Sequence, residues 1–212
     1  MRKYIEGNVH LDRLMLMTLP DFFEGLEIRG NFYCSQNYLS SLKGSPALVI
    51  GNFNCYNNQL TDLKGLLTNI RGDFNCFNNK LSTLLGSPGY IGGKFNCINN
   101  QLNSLEGAPV SVGTDFYCCD NQLKSLKHAP SKVRGDFFCT NNKLTSLVGA
   151  PTFIEGEFNC SGNRLESLEG CPTSVGGDFV CQEQVDKEGY STLDATEEEI
   201  RAVCTVMGKV IL

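Results

Sequence analysis

Apolar and polar positions recur along this 212-residue chain with a period of 21. Cys34, Cys55, Cys76, Cys97, Cys118, Cys139, Cys160 and Cys181 keep that spacing without a slip. A phenylalanine stands two residues before each: Phe32, Phe53, Phe74, Phe95, Phe116, Phe137, Phe158 and Phe179. Four residues before the Phe lies an aliphatic side chain, as in Ile28, Val49, Ile70 and Val112. Asn follows the Cys by three residues from Asn37 to Asn163, then two leucines such as Leu60 and Leu63, and a Gly-x-Pro corner such as Gly107–Pro109 closes most units. V-x-G-x-F-x-C alternates with period two, which predicts a strand with Val, Phe and Cys on one face. The Asn turns the chain, and its amide can satisfy backbone groups of neighbouring turns. Leu-x-x-Leu carries the return along the far side, and Gly and Pro set the corner.

One such unit buries about five apolar side chains, worth roughly 1.5–3 kcal/mol each. Ordering its residues costs on the order of 1.5 kcal/mol apiece. A lone unit therefore does not fold, and stability has to come from stacking. The pattern predicts a repeat solenoid with a parallel β-sheet on one face and irregular returns on the other.

F-x-C-x-x-N-x-L-x-x-L resembles the leucine-rich-repeat signature L-x-L-x-x-N-x-L-x-x-L, with Phe and Cys at the two strand leucines. The resemblance covers roughly residues 7 to 186 and is most similar to the short repeats of small bacterial and tailed-phage proteins. It implies a leucine-rich-repeat-like solenoid acting as a non-enzymatic protein-binding module. The phage likeness implies more narrowly a protein that binds and inhibits a host factor, in defence. Repeat proteins that act as ubiquitin ligases carry a separate large catalytic domain, for which this chain has no room.

The ends depart from the pattern. Gly7–Leu11 matches Gly30–Cys34 at a spacing of 23 rather than 21, which predicts a degenerate first repeat. Beyond Cys181 the Asn column becomes Gln184 and the leucine columns become Asp186 and Gly189, so the repeat is expected to stop there. Thr196-Glu197-Glu198-Glu199 fits a capping box ahead of Ile200, Val203 and Cys204, predicting a short helix. Val206–Leu212 can add a last strand, and the tail would cover the open end of the core. The expected organisation is an N-terminal cap over 1–29, seven full repeats and a partial eighth over 30–186, and a cap of helix then strand over 187–212.

Composition narrows the function. A net charge of −5 and a pI near 5.1 supply no basic stripe for phosphates, which argues against a nucleic-acid partner. No signal peptide or membrane span is legible, so the expected place is the cytoplasm, that of the host for a phage-encoded protein. Adjacent parallel strands lie about 4.8 Å apart, which puts neighbouring ladder cysteines within the Cα range of a disulfide. Their side chains nonetheless point inward in parallel, and Cys reads as a small buried hydrophobe beside Phe. With no Cys-x-x-Cys pair and only His10 and His128, neither zinc nor any other cofactor is expected. Cys119, one place after the inward Cys118, should face solvent as an inert thiol near Asp115 and Asp120. No nucleophile triad, phosphate loop or metalloprotease motif is present.

The outward positions alternate with the core. Before each Phe stand Asn31, Asn52, Asp73, Lys94, Asp115, Asp136, Glu157 and Asp178, an acidic row broken by one lysine. After each Phe come Tyr33, Asn54, Asn75, Asn96, Tyr117, Phe138, Asn159 and Val180, and after each Cys come Ser35, Tyr56, Phe77, Ile98, Cys119, Thr140, Ser161 and Gln182. Tyr33, Tyr56, Phe77, Ile98, Tyr117 and Phe138 are the expected anchors for a partner protein. Asp73, Asp115, Asp136 and Glu157 would favour a basic partner surface. Two alternatives compete: aromatic pairs that merely stabilise an exposed sheet, and a self-associating structural protein with no dedicated partner.

Overall fold

The structure is a computed structural model that describes residues 3–66, 68–186 and 188–212. Successive coils stack as a right-through solenoid whose described residues form two ten-stranded parallel sheets, each ordered by coil number. The single strand expected per unit is split in two, as in Leu48–Val49 and Phe53–Asn54. Register holds through the stack: Val49 pairs with Ile70 and Phe53 with Phe74. Between the sheets the core is filled by one aliphatic residue, Phe, Cys and two leucines per coil. The Phe rings form a continuous column, from 5.3 Å between the centroids of Phe23 and Phe32 to 5.1 Å between Phe158 and Phe179. The ladder thiols are buried, and several, such as those of Cys97 and Cys118, lie against the carbonyl oxygen of the next coil at 3.3 and 3.5 Å. Burial pushes the ionisation of Cys97 and Cys118 well above the ordinary thiol value, as expected of thiols that serve as core packing.

Two side-chain ladders complete the backbone that the short strands leave unpaired. The first is made by the Asn after the turn. Asn100 Nδ2 donates to the carbonyls of Cys76, Cys97 and Ile98 at 3.2, 3.0 and 3.2 Å, while its Oδ1 accepts the N–H of Leu81 at 3.0 Å. One amide therefore ties three segments of two coils. The residue before the turn is left-handed in every coil, for example Asn57 (φ 53), Asp120 (φ 54) and Gly162 (φ 66), which explains the preceding Asn, Asp or Gly. Gln184, expected to mark the end of the repeat, makes the same contacts with its longer arm, to Cys160 O at 2.9 Å and Leu165 N at 3.1 Å.

The second ladder lies at the corner where the strand breaks. Oδ1 of Asn31 accepts the N–H of Asn52 at 2.7 Å, Asn52 serves Asp73 at 2.8 Å, and Asp73 serves Lys94 at 2.9 Å. Asp115 and Asp136 do the same for Asp136 and Glu157 at 3.0 and 2.8 Å. Each of these oxygens lies where the next coil's glycine would carry a Cβ: 2.3 Å at Gly51, 2.2 Å at Gly93 and 2.0 Å at Gly135. The glycines of V-x-G-x-F, read from sequence as part of the strand, are there because the preceding coil's side-chain oxygen or backbone occupies the space of a Cβ. Lys94 has no oxygen to offer, and the coil after it is the one that carries Thr114 in the glycine column.

At the N-terminus Tyr4–Glu6 and Val9–His10 pair with Glu27–Arg29 and Phe32–Tyr33. The longer spacing of this first unit houses a 3-10 turn, Asp21–Phe23, which sets Phe23 edge-on against Phe32. At the other end the helix Glu197–Val203 begins in the capping box of Thr196 and Glu199 and buries Ile200. Thr205–Val206 and Val210–Ile211 then join both sheets against Ser174–Val175 and Phe179–Val180.

Two outcomes follow from the ladders. Asn100→Ala leaves buried carbonyls and one N–H without partners, and should lower unfolding free energy by roughly 3–5 kcal/mol in urea titration. Lys94→Asp should also destabilise, by about 1–3 kcal/mol, because the new Oδ1 meets the Thr114 side chain. Adding Thr114→Gly should recover that loss, and a cycle without positive coupling between the two changes would refute the corner pairing.

Candidate functional site

The second sheet presents its alternate residues outward, and register fixes which of them touch. Tyr33 pairs with Asn54, Asn96 with Tyr117, Tyr117 with Phe138 and Phe138 with Asn159. In the column after Cys, the rings of Tyr56 and Phe77 stack at 4.5 Å and 7°. In the column after Phe, Tyr117 and Phe138 lie 5.2 Å apart, and His10 stacks on Tyr33 at 4.8 Å. Between the aromatics the amides hold one another: Asn75 Nδ2 donates to Asn54 Oδ1 at 2.7 Å. The face is thus a set of side-chain columns fixed by the coil repeat, not a set of loops.

All ten residues named from the sequence stand on this one face, and all ten are half-buried, because each is flanked by the coil before and the coil after. Tyr56, Phe77 and Ile98 occupy adjacent coils of one column, while Tyr117 and Phe138 continue the apolar surface one column across. Tyr33 is set apart from them by Asn54 and Asn75. Asp73, Asp115 and Asp136 have a second task that the sequence did not reveal, since an oxygen of each caps the next coil's backbone. Their negative charge stays on the margin of the face. Glu157 is one methylene longer and instead accepts from Asn159 Nδ2 at 3.1 Å.

Lys94 interrupts that margin at the middle of the sheet. Its Nζ lies 5.6 Å from the centroid of the Tyr117 ring. The Tyr117 hydroxyl donates to Asp115 Oδ2 at 3.2 Å. Partial burial, with the Asp115 carboxylate beside it, pushes the Tyr117 phenol up to about 12, so it stays a neutral hydrogen-bond donor.

Cys119 corrects the sequence reading: it is 6% exposed, not a surface thiol. It fills the outward column between Ile98 and Thr140, two larger neighbours that close over its small side chain, and burial raises its ionisation. Sequence reasoning also stopped short of the position two residues beyond the left-handed turn, where Gln59, Lys80, Gln101, Gln122, Lys143 and Arg164 follow one another. Lys143 Nζ donates to Gln122 Oε1 at 3.1 Å across coils. This amide and basic row was legible as another column of the same period. Among the described residues no helix is long and apolar enough to cross a membrane, and no group of three or more His, Cys, Asp or Glu gathers as a metal site.

No protein-family model matches the chain, and no curated protein matches it. Among solved structures it is similar to YopM from Yersinia enterocolitica WA-314, with a TM-score of 0.64 and 24% identity. The likeness covers 91% of this chain and 40% of that one, so the chain spans less than half the length of its structural neighbour. What the likeness shows is the fold, a leucine-rich-repeat-like parallel solenoid.

Proposed function

We propose that the outward face of the second sheet binds a partner protein. The observation that carries this reading is the run of apolar side chains across adjacent coils, Tyr56, Phe77 and Ile98, continued by Tyr117 and Phe138. Stacking alone accounts for a pair of rings. It does not account for aliphatic and aromatic side chains at every coil from the second to the sixth full repeat, on a surface whose other positions are mostly Asn, Ser, Thr and Gln. Tyr33, Tyr56, Phe77, Ile98, Tyr117 and Phe138 serve as anchors, with Asp73, Asp115, Asp136 and Glu157 steering a basic partner surface. Inhibition of a host protein would be one use of such a face, and it rests on the sequence resemblance alone.

A second reading, self-association, is favoured by a different surface. Leu14, Met15, Met17, Phe22 and Tyr38 are all exposed at the N-terminal end, Met15 at 76%. Beside them Tyr4–Glu6 and Val9–His10 are the edge strands of the two sheets.

Affinity capture from cell lysate, comparing the wild-type chain with Phe77→Asp plus Ile98→Asp, separates the two readings. Loss of captured proteins with an unchanged far-ultraviolet spectrum is expected, and the same set of proteins from both would sink the strand face. A monodisperse monomer by light scattering would remove self-association. For a captured partner, Asp73→Asn, Asp115→Asn and Asp136→Asn together keep the capping oxygen and delete the charge. Association should slow by about tenfold and lose its salt dependence, with the melting temperature unchanged.

A further inference from the structure

The outward face of the second sheet is electrically unequal across its width. Along each strand the acidic row comes first, then the amides and rings after Phe, then the column of Tyr56, Phe77 and Ile98. Next, at the left-handed turn, stands a column of asparagines with one charge, Asp120, in which Asn99 Nδ2 donates to Asn78 Oδ1 at 2.7 Å. Two residues further lies the row from Gln59 to Arg164. Its residues are held in register by N–H bonds to leucine carbonyls of the coil before, at 2.9 Å for both Lys80 and Lys143. That row has three cations, Lys80, Lys143 and Arg164, and no carboxylate. The apolar run therefore lies between an acidic margin and a basic one.

The run also has a length and a direction. From Tyr56 to Phe138 it crosses successive coils spaced ~4.8 Å apart, a span of about 19 Å. Between Ile98 and Tyr117 it passes from the column after Cys to the column after Phe, a sideways step of about 6.6 Å. The run is thus oblique to the stacking axis by roughly 20°. A helix laid at that inclination advances about 5.1 Å along the axis per turn, so its turns stay within about 1 Å of the coils over the whole run. An extended segment repeats the same side every ~6.6 Å and falls more than a whole coil out of step over the same distance.

We propose that this face takes an amphipathic α-helix of the partner protein, about four turns long, with its apolar side on the run. Lys or Arg on one flank meets Asp73, Asp115 and Asp136, and Asp or Glu on the other meets Lys80, Lys143 and Arg164. The inference rests on the partner-binding reading of this face and specifies what lands on it. One apolar side chain per turn, at i, i+3 or i+4, and i+7, sits over each coil. The opposed margins also fix the sense of the helix, because turning it end for end exchanges its flanks and brings like charges together. Lys94 breaks the acidic margin at its middle, so the turn facing it is the one place on the basic flank that favours a carboxylate.

The test selects two display libraries on the intact chain: a helix randomised on the exposed face of a helical bundle, and a randomised extended loop of the same length. Every binder is then measured on Phe77→Asp plus Ile98→Asp. Expected are helical binders that this variant loses, with apolar residues at helical spacing and flanks of opposite charge. Lys80→Glu plus Lys143→Glu should weaken them about tenfold at low salt and much less at high salt, with the melting temperature unchanged. Face-dependent binders drawn only from the loop library, or helices whose flanks show no preferred sign and ignore the two lysines, would overturn the helix and leave the face as a binding surface. Finding no binder that needs Phe77 and Ile98 would overturn the face itself, and the helix with it. A dimer in light scattering that Phe77→Asp plus Ile98→Asp dissociates would place a second copy on the face and equally end the proposal.

Discussion

Everything in this molecule depends on the completion of one coil's backbone by the side chains of the next. Strands of two residues make too few ladder bonds to close a sheet by themselves. The asparagine after the turn supplies the difference, binding carbonyls of its own coil and the one before while accepting an N–H from the earlier return segment. A buried amide in that position has its bonds only if both coils are in place. Register and the fixed spacing from cysteine to asparagine therefore follow from the same requirement: an insertion there would separate the amide from its carbonyls. The two extra residues of the first unit lie in its return instead, and Asn37 still reaches Leu11 O at 2.8 Å.

The core follows from the same geometry. With the two sheets close together, each coil has space for one ring, and the Phe column fills it from end to end. Cysteine is small enough to sit beside that ring and sends its S–H to a carbonyl that already accepts a backbone N–H. Alanine would fill less of the space, and leucine would press on the ring. Because the interior is occupied at every level, variation is confined to the outward columns, and there the coils differ most: Tyr, Phe, Ile, Cys and Thr succeed one another at a single position from Tyr56 to Thr140.

Period and alternation made the solenoid, its core columns and its outward columns legible before any coordinates, because those depend on side-chain size and spacing alone. The asparagine's role was legible for the same reason: a polar residue fixed in phase among apolar ones needs buried partners. What alternation did not reveal were effects that arise between coils. Cys119 is buried not by its own direction but by Ile98 and Thr140 on either side. The break of each strand at the corner, and the duty of the acidic row in capping it, depend on where Asn31 or Asp73 lies relative to a glycine twenty residues later. One signal for that lies in the sequence: the single threonine in the glycine column follows the single lysine in the acidic row. Gln184 misled because a change of residue type was taken as the end of a role that a longer amide still performs.

The pairing of a corner oxygen with the following coil's glycine also sets which segments of this chain can be exchanged. A unit cut between its glycine and its neighbour's Asx carries half of two different pairs. Duplicating or deleting whole coils elsewhere in the stack restores a match at every new junction, because one Asx is followed by the same glycine as any other. At the fifth coil it does not: Thr114 tolerates only a predecessor without the oxygen, so the coils of Lys94 and Thr114 have to travel together. Growth and shrinkage of the repeat by slippage is thus free along most of its length and locked at its centre, beside Tyr117.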